Sequence, residues 1–240
     1  MNFDVYEYTN KGGRSYNEDS VGSCFDNSGG VFVVADGLGG HILGEEASAA
    51  AVKAITSGWN TVEEDIEAQL NGRIEQANRN ILNLQKEKNS VMKTTVAALA
   101  INSAKAVWAN SGDSRVYFIH KNEFESCTND HSVSFKKYKA GEITREQIAT
   151  DEDQSRLLRT LGSEDRFKPE FYSGNSAPER GDAFFICSDG AWEYLRDGEI
   201  VIDCLKAENS KRWAELMLLR IMDRINGEND NLSLLTIKIV

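Results

Sequence analysis

Apolar residues along this chain follow two rhythms. Residues 3–9 (FDVYEYT) alternate apolar and polar, the period of an edge strand. Residues 20–26 and 31–35 (VFVVA) follow at hairpin spacing, and the second reads as a buried strand. Residues 94–101, 106–110, 115–120, 184–188 and 232–240 predict further strands. Between these runs the period lengthens. Residues 44–59 (GEEASAAAVKAITSGW) are rich in helix formers. Val62, Ile66, Leu70, Ile74, Ala77 and Ile81 recur every three or four residues as one apolar stripe, after a capping box of Thr61 and Glu64. Gly72 argues against one unbroken helix there. Residues 210–225 predict another helix. Residues 129–165 are polar and irregular, with a short helical piece at 143–149, and so long an insert is more often functional than filler.

Strands come in runs and helices in pairs, without strict alternation. This predicts an α+β layered sandwich and argues against a doubly wound sheet. No repeat, low-complexity tract or linker interrupts the pattern, so one domain spans residues 1–240.

Composition narrows the function. The chain is 40% hydrophobic with 2 prolines, which excludes disorder, and its formal net charge is -11. Such a surface repels a phosphate polymer, so nucleic acid is not the expected partner. The 4 cysteines (Cys24, Cys127, Cys187, Cys204) form no CxxC pair, so no zinc site is indicated, and reduced cytosolic thiols are expected. No leader pattern opens the chain and no apolar run reaches membrane-spanning length, so a cytoplasmic protein without a membrane association is expected.

The stretch VFVVADGLGG at 31–40 poses the chemical question. Its glycines do not fit G-x-G-x-x-G, since Ile42 stands at the third position, and no Walker pattern occurs. Asp36 precedes the glycines, where it would repel a phosphate. Other acids share its placement: Asp189 ends FFICSDG, Asp230 precedes the last strand, Glu18 and Asp19 precede residues 20–26, and Asp113 lies between two strands in SGDSR. Any one of these reads most simply as a turn residue. Together they suggest carboxylates gathered at one edge of a sandwich. Carboxylates without His or Cys suit magnesium or manganese. Glu18, Asp36, Asp189 and Asp230 carry charge enough to balance two divalent ions, and Arg14 then tips the site positive for a phosphate. Two ions roughly 3.5–4 Å apart lower the pKa of a shared water towards neutrality.

RSYNEDS at 14–20, VVADGLGGHILGEEAS at 33–48, TTVAALAI at 94–101 and WANSGDSRVY at 108–117 form an ordered set with NDHS at 129–132, RTLGS at 159–163, ICSDGAWEYL at 186–195 and NDNLSLL at 229–235. The set resembles the metal-dependent protein serine/threonine phosphatases, type 2C (PPM class), in their compact bacterial form. The resemblance implies a four-layer α-β-β-α sandwich, with two antiparallel sheets face to face and helices outside. It implies that Asp36 bridges two Mn2+ or Mg2+ ions, that the Gly37 carbonyl ligates one, and that Asp189 and Asp230 complete the pair. Glu18 and Asp19 match the remaining ligand segment, Asp113 with Asp189 matches a weaker third metal site, and Arg14 matches the residue holding substrate phosphate. Residues 132–158 match the flap beside the active site. The implied activity is hydrolysis of phosphoserine and phosphothreonine in proteins by metal-activated water, opposing a Ser/Thr kinase in signalling. The alternative is a catalytically silent regulator on the same scaffold. Two departures stand out: Lys93 replaces the usual Gly, and the flap carries Asp151-Glu152-Asp153 in place of a His-Pro pair.

His41 follows the glycine turn and reads equally as a proton donor to the leaving alcohol or as a turn residue capping a helix. His120 reads as surface, His131 as a structural hydrogen-bonder and Trp192 as core. A cysteine phosphatase is excluded, because the positions six residues after the cysteines are Gly30, Val133, Glu193 and Ser210, none an Arg.

Overall fold

The computed structural model describes residues 1–38 and 43–240. In chain order it contains β1 (Phe3–Asn10), β2 (Ser20–Phe25), β3 (Gly29–Ala35), β4 (Gly37–Leu38), α1 (Leu43–Thr56), α2 (Ile66–Lys88), β5 (Lys93–Thr94) and β6 (Val96–Asn102). It continues with β7 (Ala106–Ser111), β8 (Arg115–His120), β9 (Glu123–Cys127), α3 (Val133–Lys139), a 3-10 turn (Glu146–Thr150), β10 (Glu170–Ser173) and β11 (Ala183–Cys187). The chain closes with α4 (Asp189–Trp192), α5 (Asp197–Lys206), α6 (Ser210–Arg224) and β12 (Leu232–Ile239).

The apolar run of β3 shows why a sandwich forms. Its side chains point alternately to two faces, and both faces are covered. Val31, Val33 and Ala35 pack with Ile55 of α1 and with Leu70, Ile74 and Ile81 of α2. Phe32 and Val34 face the other way, into a core shared with Phe118, Phe184, Ile186 and Leu235. Those partners belong to a second sheet. One sheet has the order β1-β12-β11-β8-β9 and the other β10-β7-β6-β3-β2, each antiparallel, and β4 pairs with β5 as a short separate ribbon. The outer face of the first sheet is covered by Ile200 and Cys204 of α5 and by Trp213, Met217 and Ile221 of α6. The four layers are therefore helix, sheet, sheet, helix, as the resemblance implied.

Several local expectations are corrected. The cap of α2 is Asp65, whose carboxylate accepts the Ala68 N–H at 3.1 Å. Thr61 instead donates to Asp26, and Val62 is exposed outside the helix. Gly72 does not interrupt α2, because burial of Ile66, Leu70, Ile74 and Ile81 outweighs the roughly 1 kcal/mol that an interior glycine costs. The strand expected at 94–101 splits at Thr95, which turns its N–H to the Asp36 carbonyl at 2.8 Å. The helical piece expected at 143–149 is the 3-10 turn. β9, β10, α3 and α5 were not among the expected elements. β9 in particular begins with three exposed residues and is held by pairing with β8.

Antiparallel pairing decides where the acids go. Asp36 follows β3, whose last residue Ala35 pairs with Ser20, just after Glu18 and Asp19. Asp189 lies beyond Cys187, which pairs with Leu234 near the start of β12 and with Arg115 at the start of β8. Asp113 precedes that Arg115, and Asp230 precedes β12. All these acids thus fall at one end of the two sheets.

Candidate active site

The short elements around Asp36 hold it firmly. Its N–H donates to Thr95 Oγ1 at 3.0 Å, and its carbonyl accepts from the Thr94 hydroxyl and the Thr95 N–H, both at 2.8 Å. The paired threonines are therefore a clamp on the turn. Thr95 in turn shares a hydrogen bond with Ser114, next to Asp113, at 2.6 Å. A Cβ on Gly37 would run into the Gly44 carbonyl and lie 2.5 Å from the Glu18 carbonyl, so only glycine lets these backbones close together. Gly190 has the same task at the other sheet, where a Cβ would strike the Asn231 carbonyl.

A cleft of about 590 Å³ opens at this end, lined by Arg14, Tyr16, Glu18, Asp36, Gly37, Asp113, Asp189 and Asp230 among others. The acids expected at one mouth do meet there. Arg14 Nη2 donates to Asp230 Oδ2 at 2.7 Å. Glu18 Oε1 accepts the Gly44 N–H at 3.2 Å, at the start of α1. Asp19 does not line the cleft. It is buried behind it, where its carboxylate accepts from the Ser188 hydroxyl at 2.7 Å. His41 lies outside the described residues. Ser155 and Leu157 of the polar insert reach the cleft, and Gln154 donates to Asp189 at 3.4 Å. Two acids of the flap triplet are folded onto the flap's own basic residues, with Lys137 3.0 Å from Asp151 and 2.8 Å from Asp153, while Glu152 is exposed.

The electrostatics are those of crowded anions. Burial, then the facing charges of Asp189, Asp19, Asp113 and Asp230, push Asp36 well above the ordinary carboxylate range. Burial and then Asp189 do the same to Asp113. Asp189 is raised by burial and by Asp230, and hydrogen bonds from Gln154 and Asp36 partly offset this. Burial lifts Asp19 to about 7 against its serine hydrogen bonds. Asp113 Oδ1 is buried with no hydrogen-bond partner among the described residues. No three of the cleft carboxylates come within 4.8 Å of one another among the described residues, although Asp36 and Asp189 share a hydrogen bond. The group that does come that close, His120 with Glu179 and Asp182, sits where β8 ends, away from the strand end that carries the acids.

Several supporting residues escaped the sequence reading. Asn231 ties three segments together: its Oδ1 accepts the Glu18 N–H at 2.8 Å, and its Nδ2 donates to the Lys11 and Tyr16 carbonyls. The second Asn of NDN was its only signal. Arg115 forks onto Asp130 at 2.7 and 2.6 Å and lies 3.5 Å above the Trp192 ring, whose Nε1 donates to the Asp113 carbonyl at 2.9 Å. Trp192 is thus core, as expected, and also holds an acid in place. Glu193, one turn past Asp189, is raised to about 8 by burial and the nearby Asp189. His131 accepts the Gly112 N–H at 3.2 Å and is structural, as expected. Burial pushes the Cys187 thiol well up, against any role as nucleophile.

This scaffold, with acids gathered at one sandwich edge beside an arginine, defines a phosphatase of the metal-dependent type. The model of the family Protein phosphatase 2C matches residues 10–222, and the chain belongs to that family. It is similar to the serine/threonine phosphatase stp of Listeria welshimeri, with 30% identity over 235 residues, 94% of this chain and 91% of the relative. It is similar in structure to serine/threonine phosphatase Stp1 from Staphylococcus aureus, with TM-score 0.86, 26% identity and coverage of 100% and 96% of the two chains. It also shares the fold of the catalytic domain of PstP, a serine threonine protein phosphatase solved in complex with 2 manganese ions (TM-score 0.84, 23% identity, 99% and 98% covered). The protein is a serine/threonine protein phosphatase, a phosphoric monoester hydrolase, and the catalytically silent alternative is not favoured.

Proposed function

We propose that residues 1–240 act as one catalytic domain in which Asp36, the Gly37 carbonyl, Asp189, Asp230 and Glu18 hold two divalent cations, manganese or magnesium. Asp113 with Asp189 would take a weaker third, and Asp19 backs the cluster through Ser188. What supports this is the meeting of Asp36, Asp113, Asp189 and Asp230 with Arg14 in one cleft. The donor set fits hard cations: the ligand-type side chains lining the cleft are carboxylates, and a buried Asp113 oxygen has no partner among the described residues. The PstP domain was solved with 2 manganese ions on the same fold. Cations bound there would supply an acidified water and offset the charge of the incoming phosphate.

The chain's own residues do the rest. Arg14 presents a planar fork to two phosphate oxygens, and Asp230 holds that fork in position. Trp192, the threonine pair and Asn231 fix the backbones that carry the acids. Residues 132–158 act as a flap, with Ser155 and Leu157 bordering the cleft. His41 remains a candidate proton donor to the leaving alkoxide on its sequence position. The substrates are phosphorylated proteins, the opposing enzyme is a Ser/Thr kinase, and the setting is cytoplasmic signalling; no described helix is long and apolar enough to cross a membrane.

The test is hydrolysis of a phosphothreonine peptide with manganese, then after chelation. Turnover that survives complete metal removal refutes the reading. Manganese titration calorimetry gives an independent readout, since a silent scaffold would bind the ion weakly or not at all.

A further inference from the structure

The cleft has an apolar rim that phosphate hydrolysis does not require. Tyr16, Leu38 and Leu157 line it, from the loop before β2, from β4 and from the flap. Tyr16 is 59% exposed, more than any other Phe, Tyr or Trp among the described residues. Its ring is open to solvent, yet its backbone is fixed. Asn231 Nδ2 donates to the Tyr16 carbonyl at 2.8 Å, and the same side chain accepts from Glu18 two residues on. Leu157 is also pinned, by a bridge to Ser132. Apolar side chains on tied backbones around a polar floor are the make-up of a recognition surface.

Chain geometry says what they recognise. Tyr16 follows Arg14 by two residues, so their backbones are at most roughly 7 Å apart. A phosphate held on Arg14 therefore brings the residues flanking the phosphorylated one within reach of Tyr16. An acidic side chain there would be repelled by Asp36, Asp189 and Asp230, and a basic one would lose its attraction once those acids are neutralised. An apolar side chain gains from burial in either state.

We propose that Tyr16, with Leu38 and Leu157, forms a subsite for a large apolar side chain adjoining the phosphoserine or phosphothreonine. The inference rests on the phosphatase reading of the cleft and extends it to sequence preference. Two phosphothreonine peptides of equal length, one with leucine and one with glycine next to the phosphoresidue, test it. The wild-type protein should favour the leucine peptide by about tenfold in kcat/KM, mostly through KM, the scale on which one apolar group is discriminated. Tyr16→Ala should erase that ratio, Tyr16→Phe should keep it, and Leu157→Ala should reduce it. A wild-type protein without preference, or a preference untouched by Tyr16→Ala, overturns the proposal. Failure to hydrolyse either peptide would instead overturn the reading of the cleft itself.

Discussion

Arg14 and Asp230, 216 positions apart in the chain, meet at 2.7 Å at the mouth of the cleft. The hydrogen bond to Asp230 raises the already high pKa of Arg14 and aims its guanidinium. Arg14→Ala should lower kcat/KM on phosphopeptides by about 10²-fold, the scale for losing one preorganised charged donor. Arg14→Lys should fall between, because a point charge replaces a fork. Steady-state kinetics with inorganic phosphate as competing inhibitor reads both.

Asp36 stands where four other acids press on it. Asp36→Asn should abolish turnover and the heat of manganese binding. It also removes a buried carboxyl whose ionisation its neighbours oppose, so the metal-free protein should melt at the same or a higher temperature. A lower melting temperature would mean that Asp36 is needed for folding.

Arg115 and Asp130 form a buried ion pair, with side chains 6% and 1% exposed. Asp130→Ala leaves a charge without its partner and should cost about 3–5 kcal/mol in urea unfolding. Because Arg115 packs on Trp192, which holds Asp113, the variant should also weaken metal binding.

Asn231→Ala removes three hydrogen bonds that gather the loop at residues 11–18. The unpaired groups should cost about 1–3 kcal/mol. Limited proteolysis should then cut within that loop while the sandwich resists.

Glu199 accepts from Arg224 at 2.7 and 2.5 Å, which holds its carboxyl at about 2, below the ordinary 4.5. Its contribution to stability is complete above pH 4.5 and is lost as pH falls towards about 2. Glu199→Gln should therefore show a smaller drop in melting temperature across that window than the wild-type protein.

The site was legible to the extent that its chemistry is local. An apolar run ending in Asp-Gly identifies both a buried strand and the acid at its end, so Asp36 and Asp189 could be picked without coordinates. The α2 stripe was legible for the same reason, though its cap was not: Thr61 and Asp65 are both competent caps, and packing of Ile66 against the sheet chose between them. β9 and β10 left no pattern because their pairing partners, β8 and β7, supply what their own side chains do not.

By itself, then, the chain determined which residues carry charge, which segments must be buried, and that acids close the strands. Only the tertiary structure decided that Asp19 turns inward to Ser188 while Glu18 faces the cleft, that Asn231 laces the loop, and that Tyr16 stands exposed beside Arg14. The physical reason is range. Side-chain periodicity and turn chemistry act over a few residues, whereas the order of antiparallel strands brings together groups that are neighbours only in space.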